Sequence, residues 1–433
     1  MSGEIARLIH QLRMLSGLRA DVPRPEPLRS RVIPHSDRND NAALKQQPIK
    51  VLFFSRNLSH EGASISLKEL VCGLLQLGVI APELISFEDG PLRTGYESLG
   101  IKVRVLPNVL PEIFTIKGLD AEVEELSVLI KASGAQLVFA NTLLNFASIL
   151  AAEKAGVPSV WNIRESEPWN RYFRFLPNPV AQRAIAAIGL PTQVIFVANT
   201  TRGVWKDFDD AGRFAVIHNA LDQSRFLDDL SRDRGSARLS FGWRQDEIVL
   251  LCVGTVCERK GQEDALRALR SIADKLTPPV RLVFAGDASD RYALRLRQVA
   301  ADLCRDSRVR VDFINAEQNI GRCYRAADVF LLCSRVESYP RVILEAMAFG
   351  LPIVTTPVFG VAEQLPDRED ALFYAPGDIT KLGEHFLTFI SNSGARRLYG
   401  QRAKARFGTM HSMDDMLGAY AKVIRRREGL GAQ

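Results

Sequence analysis

The sequence predicts an α/β protein built from two doubly wound parallel sheets, and three observations carry that prediction. From Ile49 onward, short apolar runs alternate with stretches of helical periodicity, the pattern of a parallel sheet covered on both faces. After Phe214-Ala-Val-Ile-His-Asn219 the alternation starts afresh, so the chain reads as two similar halves rather than one long sheet. Turn residues, above all Gly350 and Pro352, stop a helix just where the next strand begins.

The elements follow in order. Within residues 4–18, Ile5, Leu8, Ile9, Leu12 and Leu15 recur at helical spacing with arginines between them. Prolines from Pro23 and polar residues to Pro48 then break the pattern. Residues 1–47 therefore read as a short amphipathic leader on a flexible tether. Two roles stay open for it: docking on a partner or membrane surface, or an unordered leader. Strands are expected at 49–54, 83–87, 102–106, 137–140, 159–163 and 193–198, with helices at 64–76, 121–133, 144–155 and 179–189. Ser64 is placed to cap the first of these helices. In the second half, strands are expected at 248–253, 281–285, 308–313, 329–333, 353–355 and 371–374. Residues 223–240 are charged around a central Arg234-Gly-Ser and read as a linker. The expected domains are 48–220 and 221–405, with a closing helix and tail at 406–433. Doubly wound sheets bind ligands beyond the carboxyl ends of their strands, so the ligand cleft is expected between the two halves.

Composition narrows the function classes. A chain of 433 residues with 46% hydrophobic content is long enough for two globular domains with large cores. The net charge of +6 is modest, and residues 1–47, with eight Lys/Arg against five Asp/Glu, hold half of the excess. No basic stripe interleaved with aromatics points to nucleic acid. The six cysteines show no Cys-x-x-Cys spacing, which argues against structural zinc and a disulfide framework. No stretch reaches the ~20 apolar residues of a membrane span, and the first residues lack a signal-peptide core. A reducing cytoplasm is the expected compartment.

The most informative stretch begins at the apolar run Val329-Phe-Leu-Leu-Cys333, which reads as a buried parallel strand. Pro340 suits the first position of a helix over 341–349, Gly350 suits its left-handed end, and Ile353-Val-Thr-Thr is the next strand. Two carboxylates stand in this unit, Glu337 in the loop and Glu345 inside the helix. A helix start favours anions, yet these side chains are acidic. A ligand that carries both hydroxyls and phosphate, such as a nucleotide sugar, reconciles the two. Val253-Gly-Thr-Val-Cys-Glu-Arg-Lys-Gly261 follows the first strand of the same half. Gly254 lets a ligand approach the backbone, and Arg259 with Lys260 stands before a helix start where a diphosphate could be held.

These stretches resemble the retaining glycosyltransferases of the two-domain glycosyltransferase-B fold, specifically the large family numbered 4. That family shows Ser-x-x-Glu-Gly-Phe-Pro-x-x-x-x-Glu-Ala-x-Ala-x-Gly-x-Pro-Val. Here the stretch runs Ser334-Arg-Val-Glu-Ser-Tyr-Pro-Arg-Val-Ile-Leu-Glu-Ala-Met-Ala-Phe-Gly-Leu-Pro-Ile353. The resemblance covers residues 48–425 and implies two Rossmann-like domains, with a last helix that returns to the first. It implies that Glu337 binds hydroxyls of the donor sugar and that Glu345 binds the ribose. Ser338, Tyr339 and Pro340 would line the donor, with Ser338 where the family has glycine. The family's Val-Gly-Arg-x-x-x-x-Lys-Gly aligns Lys260 with its diphosphate-binding lysine and puts Thr255 in place of the arginine, which leaves Arg259 to supply that charge. Phe284-Ala-Gly286-Asp287 resembles the family's turn near the base, and Gly360-Val-Ala-Glu363 its Gly-Gly-x-x-Glu.

On the acceptor side, Gly62 and Ala63 stand where the family has a Gly-Gly loop. Arg164-Glu165 stands where many relatives carry a histidine and an acid. An arginine cannot act as a base at neutral pH, so Arg164 is expected to bind an anion or hydroxyl and Glu165 to orient the acceptor. The expected function is a retaining transfer of a sugar from a UDP- or GDP-sugar to a hydroxyl of a saccharide or lipid-linked acceptor, as in polysaccharide biosynthesis. No Asp-x-Asp motif sits at a strand end, so no metal or other obligatory cofactor is expected. Peripheral contact with the inner face of a membrane fits a lipid-linked acceptor. The rival readings are an epimerase or phosphorylase on the same fold, or a catalytically silent binding protein.

Overall fold

The computed structural model describes residues 47–106, 114–286, 291–305, 308–315, 320–366 and 368–426. The leader at 4–18, its tether to residue 46 and Asp287 lie outside the described residues. The chain divides into two units, with the divisions at Asn219/Ala220 and Ser412/Met413.

Unit 1 is a seven-stranded sheet of β1 (Ile49–Ser55), β2 (Ile80–Ser86), β3 (Lys102–Val105), β4 (Leu137–Asn141), β5 (Ser159–Ile163), β6 (Gln193–Phe196) and β7 (Phe214–Val216). Its order is β3-β2-β1-β4-β5-β6-β7, and every neighbouring pair is parallel. Strands β4 and β5 are buried at every position, as expected for central strands with helices on both faces.

Several boundaries differ from expectation for local reasons. Strand β2 starts at Ile80, just after Gly78 turns the chain with a φ of +66°. The helix expected at 121–133 begins at Ile116, because the Thr115 side chain accepts the N–H of Gly118 at 2.9 Å. Ser64 does not cap its helix: Gly62–Gln76 starts two residues earlier, and Ser64 Oγ donates to Asn57 Oδ1 at 2.7 Å.

The last helix, Met413–Arg425, belongs to unit 1. Leu417 lies so close to Gly73 that a Cβ there would sit 2.6 Å from its methyl carbon. Tyr420 packs its ring 6.1 Å from that of Phe139 and donates its hydroxyl to Asn162 Oδ1 at 3.4 Å.

Unit 2 is a six-stranded sheet of β8 (Ile248–Val253), β9 (Val280–Ala285), β10 (Val309–Ile314), β11 (Val329–Leu332), β12 (Ile353–Thr355) and β13 (Leu372–Phe373). Its order is β10-β9-β8-β11-β12-β13, again parallel throughout. Helix Glu263–Ile272 buries Ala265, Leu266, Ala268, Leu269 and Ile272, one apolar face of a 3.6-residue period.

The stretch 223–240 is not a linker. It folds into short helices at Gln223–Phe226, Leu227–Ser231 and Arg234–Leu239 and belongs to unit 2. Arg238, only 3% exposed, donates to the carbonyls of Ala326, Gln245 and Glu247 at 3.0–3.1 Å and pairs with Asp328. Asp328 also accepts the N–H of Val249 at 2.7 Å. Charged composition suggested solvent, but here the charges neutralise one another inside the unit.

Candidate active site

Both sheets reverse their strand order once, between β1 and β4 and between β8 and β11. The loops that leave such a switch point form the natural ligand crevice of an open parallel sheet. In unit 2 these are the segments 254–261 after β8 and 333–340 after β11, and they hold most of the predicted donor-site residues.

The two segments are joined along their length. Arg335 donates its N–H to the Arg259 carbonyl at 2.8 Å, and Arg259 returns a guanidinium bond to the Val336 carbonyl at 2.9 Å. Gly261 has a φ of +64°, and a Cβ there would lie 2.3 Å from the Cys333 carbonyl oxygen. Only glycine allows that approach. Below them, Arg335 grips Asp264 through both terminal nitrogens at 2.6 and 2.8 Å, and Asp264 also accepts the N–H of Gly377 at 3.1 Å. Gly254 and Gly286 are pressed together on the other side, where a Cβ on Gly286 would come 2.4 Å from the Gly254 carbonyl oxygen. Thr255 is exposed and accepts a bond from Gln262 Nε2 through its carbonyl at 2.9 Å.

At the centre of this arrangement Lys260 Nζ lies 2.5 Å from Glu337 Oε1, and Ser334 Oγ donates to the same oxygen at 2.6 Å. Arg259, about half exposed, has its NH1 4.0 Å from that carboxylate. Burial works to raise the pKa of Glu337, but the charges of Lys260 and Arg259 and the bonds from Lys260 and Ser334 outweigh it. The carboxyl therefore stays below its ordinary value. Sequence reasoning sent Lys260 to a diphosphate and Glu337 to a sugar; in the structure the two hold each other. Cys252, at the end of β8 beside them, is pushed up to about 12 by burial, so its thiol stays neutral and is a poor nucleophile.

Ser338, Tyr339 and Pro340 lead into helix Arg341–Ala348. Pro340 is not its first residue but its N-cap, in extended conformation, and its carbonyl accepts Gln364 Nε2 at 3.0 Å. Glu345 in this helix is 7% exposed. Its Oε2 accepts the hydroxyl of Tyr324 at 2.8 Å. Sequence reasoning missed Tyr324, because it sits in a separate helix, Ile320–Ala326, outside any recognisable spacing.

In unit 1 the corresponding switch point gathers a polar cluster. Arg164, just past β5, donates through Nε to Asn141 Oδ1 at 3.0 Å and through NH1 to Asn219 Oδ1 at 3.1 Å. Asn141 also donates to the Ala63 carbonyl at 3.2 Å, which ties it to the first turn of helix Gly62–Gln76. Glu165 is turned inward: its Oε2 accepts the N–H groups of Leu143 and Arg164, both at 2.9 Å, and Tyr172 donates to Oε1 at 3.3 Å. Burial raises its pKa despite those bonds. The carboxylate expected to orient an acceptor thus holds the loop that follows β4. That loop includes Thr142, a non-glycine residue at φ +78°, a strained conformation that clusters at functional sites. Asn141, Thr142 and Asn145 were not found from sequence. The polar residues Asn141, Thr142 and Asn145 at and just past the end of strand β4 were the available signal.

Among the described residues, no group of three or more His, Cys, Asp or Glu side chains is placed to hold a metal ion, and no helix is long and apolar enough to cross a membrane.

Residues 233–406 match the family described as glycosyl transferases group 1. The chain is similar to a D-inositol 3-phosphate glycosyltransferase of Stackebrandtia nassauensis, 30% identical over 204 residues, covering 45% of this chain and 46% of that one. It is also similar to the N-acetyl-alpha-D-glucosaminyl L-malate synthase of Bacillus anthracis, 24% identical over 189 residues, 44% and 47% of the two chains. The chain spans about half the length of the curated relatives it matches. Among solved structures, Anabaena HepE in complex with UDP-glucose superposes with a TM-score of 0.72 at 21% identity, over 87% of this chain and 99% of that one. WaaG, a glycosyltransferase involved in lipopolysaccharide biosynthesis, does so with 0.68 at 17% identity, over 86% and 99%. The likeness to these structures is one of fold, the two-domain glycosyltransferase-B architecture.

Proposed function

We propose, from the premise that this chain carries a group 1 glycosyltransferase domain over residues 233–406, that it moves a sugar from a nucleotide-sugar donor to an acceptor hydroxyl with retention at the anomeric carbon. One observation carries the reading: Glu345 is a carboxylate nine-tenths buried whose partner among the described residues is a single tyrosine hydroxyl. A buried carboxyl group with so few hydrogen-bond partners is costly, and ribose hydroxyls supply the missing donors. UDP is the favoured nucleotide, since HepE structures hold UDP and UDP-glucose.

In this reading Lys260 exchanges Glu337 for the diphosphate, and Arg259 adds a second cation from the rim. Glu337, released, accepts hydroxyls of the donor sugar. The acceptor oxygen forms its bond to the anomeric carbon as the bond from that carbon to the diphosphate breaks. The departing phosphate oxygen takes the acceptor's proton on the same face. The two cations stabilise the charge that develops on the leaving group, so the proposed reaction needs no metal. Unit 1 holds the acceptor, a saccharide or lipid-linked hydroxyl, through the cluster around Arg164 and the start of helix Gly62–Gln76. The reaction is placed in the cytoplasm.

Calorimetry with UDP and GDP tests the reading. Glu345→Ala should weaken binding of the preferred nucleotide by about 1.5–3 kcal/mol, the range for a hydrogen bond to a charged group. Unchanged affinity in a folded variant would overturn the assignment. EDTA should leave transfer intact, and loss of turnover restored by magnesium or manganese would remove metal independence from the proposal.

A further inference from the structure

We infer that Tyr324 is a positioning residue for nucleotide recognition: it fixes the carboxylate of Glu345 so that Oε1 is the oxygen presented to the ribose. The inference rests on the proposed role of Glu345 and deepens it.

Tyr324 is 0% exposed. Its ring is stacked on Phe349 with centroids 5.4 Å apart at 19°, and tilted against Phe330 at 5.8 Å. Phe349 is in turn met edge-on by Phe226 at 5.6 Å. The ring is thus clamped by aromatic neighbours and cannot swing its hydroxyl elsewhere without breaking close packing. Held so, the hydroxyl donates to Glu345 Oε2 at 2.8 Å. Burial and the adjacent carboxylate both keep the phenol protonated, so it remains a donor across the working pH range.

A glutamate on a helix has three side-chain torsions, and an unrestrained carboxylate would have to be ordered when ligand binds. Tyr324 removes that cost beforehand, which is preorganisation in the usual sense. It also assigns the two oxygens different jobs. Oε2 is occupied by Tyr324, whereas Oε1 accepts no side-chain bond among the described residues and is left to a ligand. A ribose presents two neighbouring hydroxyls to that oxygen and a 2′-deoxyribose presents one fewer. Discrimination between them should therefore depend on how firmly Oε1 is held, a role distinct from merely filling the core.

The test uses the full chain with UDP and 2′-deoxy-UDP as probes, GDP and 2′-deoxy-GDP replacing them if the protein prefers guanine. Four proteins are compared by calorimetry: parent, Tyr324→Phe, Glu345→Ala and the double variant. Tyr324→Phe should weaken UDP binding about three- to tenfold, the size of one net hydrogen bond. It should also narrow the UDP to 2′-deoxy-UDP ratio, and it should add nothing in the Glu345→Ala background. Equal losses in both backgrounds, or an unchanged ribose preference, would make Tyr324 a packing residue and overturn the inference. A parent that binds both nucleotides alike, with Glu345→Ala neutral, would instead overturn the ribose role of Glu345 itself. If Tyr324→Phe does not fold, 3-fluorotyrosine at position 324 alters the acidity of the hydroxyl within nearly the same shape. It should shift UDP affinity in the parent and not in the Glu345→Ala background, and no shift in either would again overturn the inference.

Discussion

Lys260 and Glu337 form an ion pair across the two segments that leave the switch point of the second sheet, with Nζ 2.5 Å from Oε1. Their side chains are 15% and 9% exposed, so each is the other's main compensation. Lys260→Ala should therefore strand a buried carboxylate and cost about 3–5 kcal/mol of stability. Adding Glu337→Gln should return most of it. Denaturation of the four proteins in the cycle measures the coupling, and simple additivity would show that the pair is not a unit.

Arg259 behaves differently because its guanidinium reaches solvent. Arg259→Ala, which gives up the bond to the Val336 carbonyl, should lower the thermal midpoint far less than Lys260→Ala does, yet lower kcat/KM by about 1–3 kcal/mol in transition-state terms, several-fold to a hundredfold. If Arg259 supplies the charge that Thr255 does not, Thr255→Arg should recover part of that loss. Steady-state kinetics at two ionic strengths checks both statements, since an exposed cation is screened by salt. A harmless Arg259→Ala would reduce Arg259 to a surface charge.

The fork between Arg335 and Asp264 holds the Glu337 segment to helix Glu263–Ile272. Arg335→Ala should cost roughly 1.5–3 kcal/mol, because Asp264 is buried and would keep only the Gly377 N–H among the described residues. Arg335→Lys should recover less than half, since an ammonium cannot make two parallel bonds to one carboxylate. Full recovery by lysine, read from denaturant midpoints, would show that charge alone matters there.

The two inward carboxylates should respond to pH with opposite signs. Glu337 is held below its ordinary 4.5, so its contribution to stability is fully present above that value and is lost as pH falls through its folded pKa. Glu165 is pushed above 4.5 by burial. Its contribution is present at lower pH and is lost as pH rises through the raised folded value. The thermal midpoint of Glu165→Gln, relative to the parent, should therefore move in the variant's favour as pH climbs from 4.5. A difference flat with pH would mean that Glu165 does not titrate in that range.

Much of this architecture was legible in the sequence, for physical reasons. A buried parallel strand such as β8, Ile-Val-Leu-Leu-Cys-Val, is a continuous apolar run, and its length between turn residues marks it as a strand. Glu337 and Glu345 stand at a spacing fixed by one strand–loop–helix unit, and Gly254, Lys260 and Gly261 at spacings fixed by another. The pairing of Lys260 with Glu337 was not legible, because it joins residues 77 positions apart through a strand order that no local pattern encodes. The same holds for Tyr324 against Glu345. Residues 223–240 misled because charge density alone cannot distinguish a solvated turn from arginines such as Arg238, whose partners Ala326 and Asp328 lie about 90 positions away. In the first unit, the inward turn of Glu165 depends on where the backbone of Leu143 lies, again a matter of tertiary placement.

The helix Met413–Arg425 completes the first unit from the far end of the described chain, after the whole of the second unit has intervened. Tyr420 and Ile424 are 1% and 0% exposed within it, so they are part of the core rather than an appendage. On a ribosome this imposes an order of assembly. The second unit emerges as one continuous segment and has everything it needs to close, while the first, begun earlier, must wait with the surface around Gly73 and Phe139 uncovered. Of the two units, the one begun first is the one completed second.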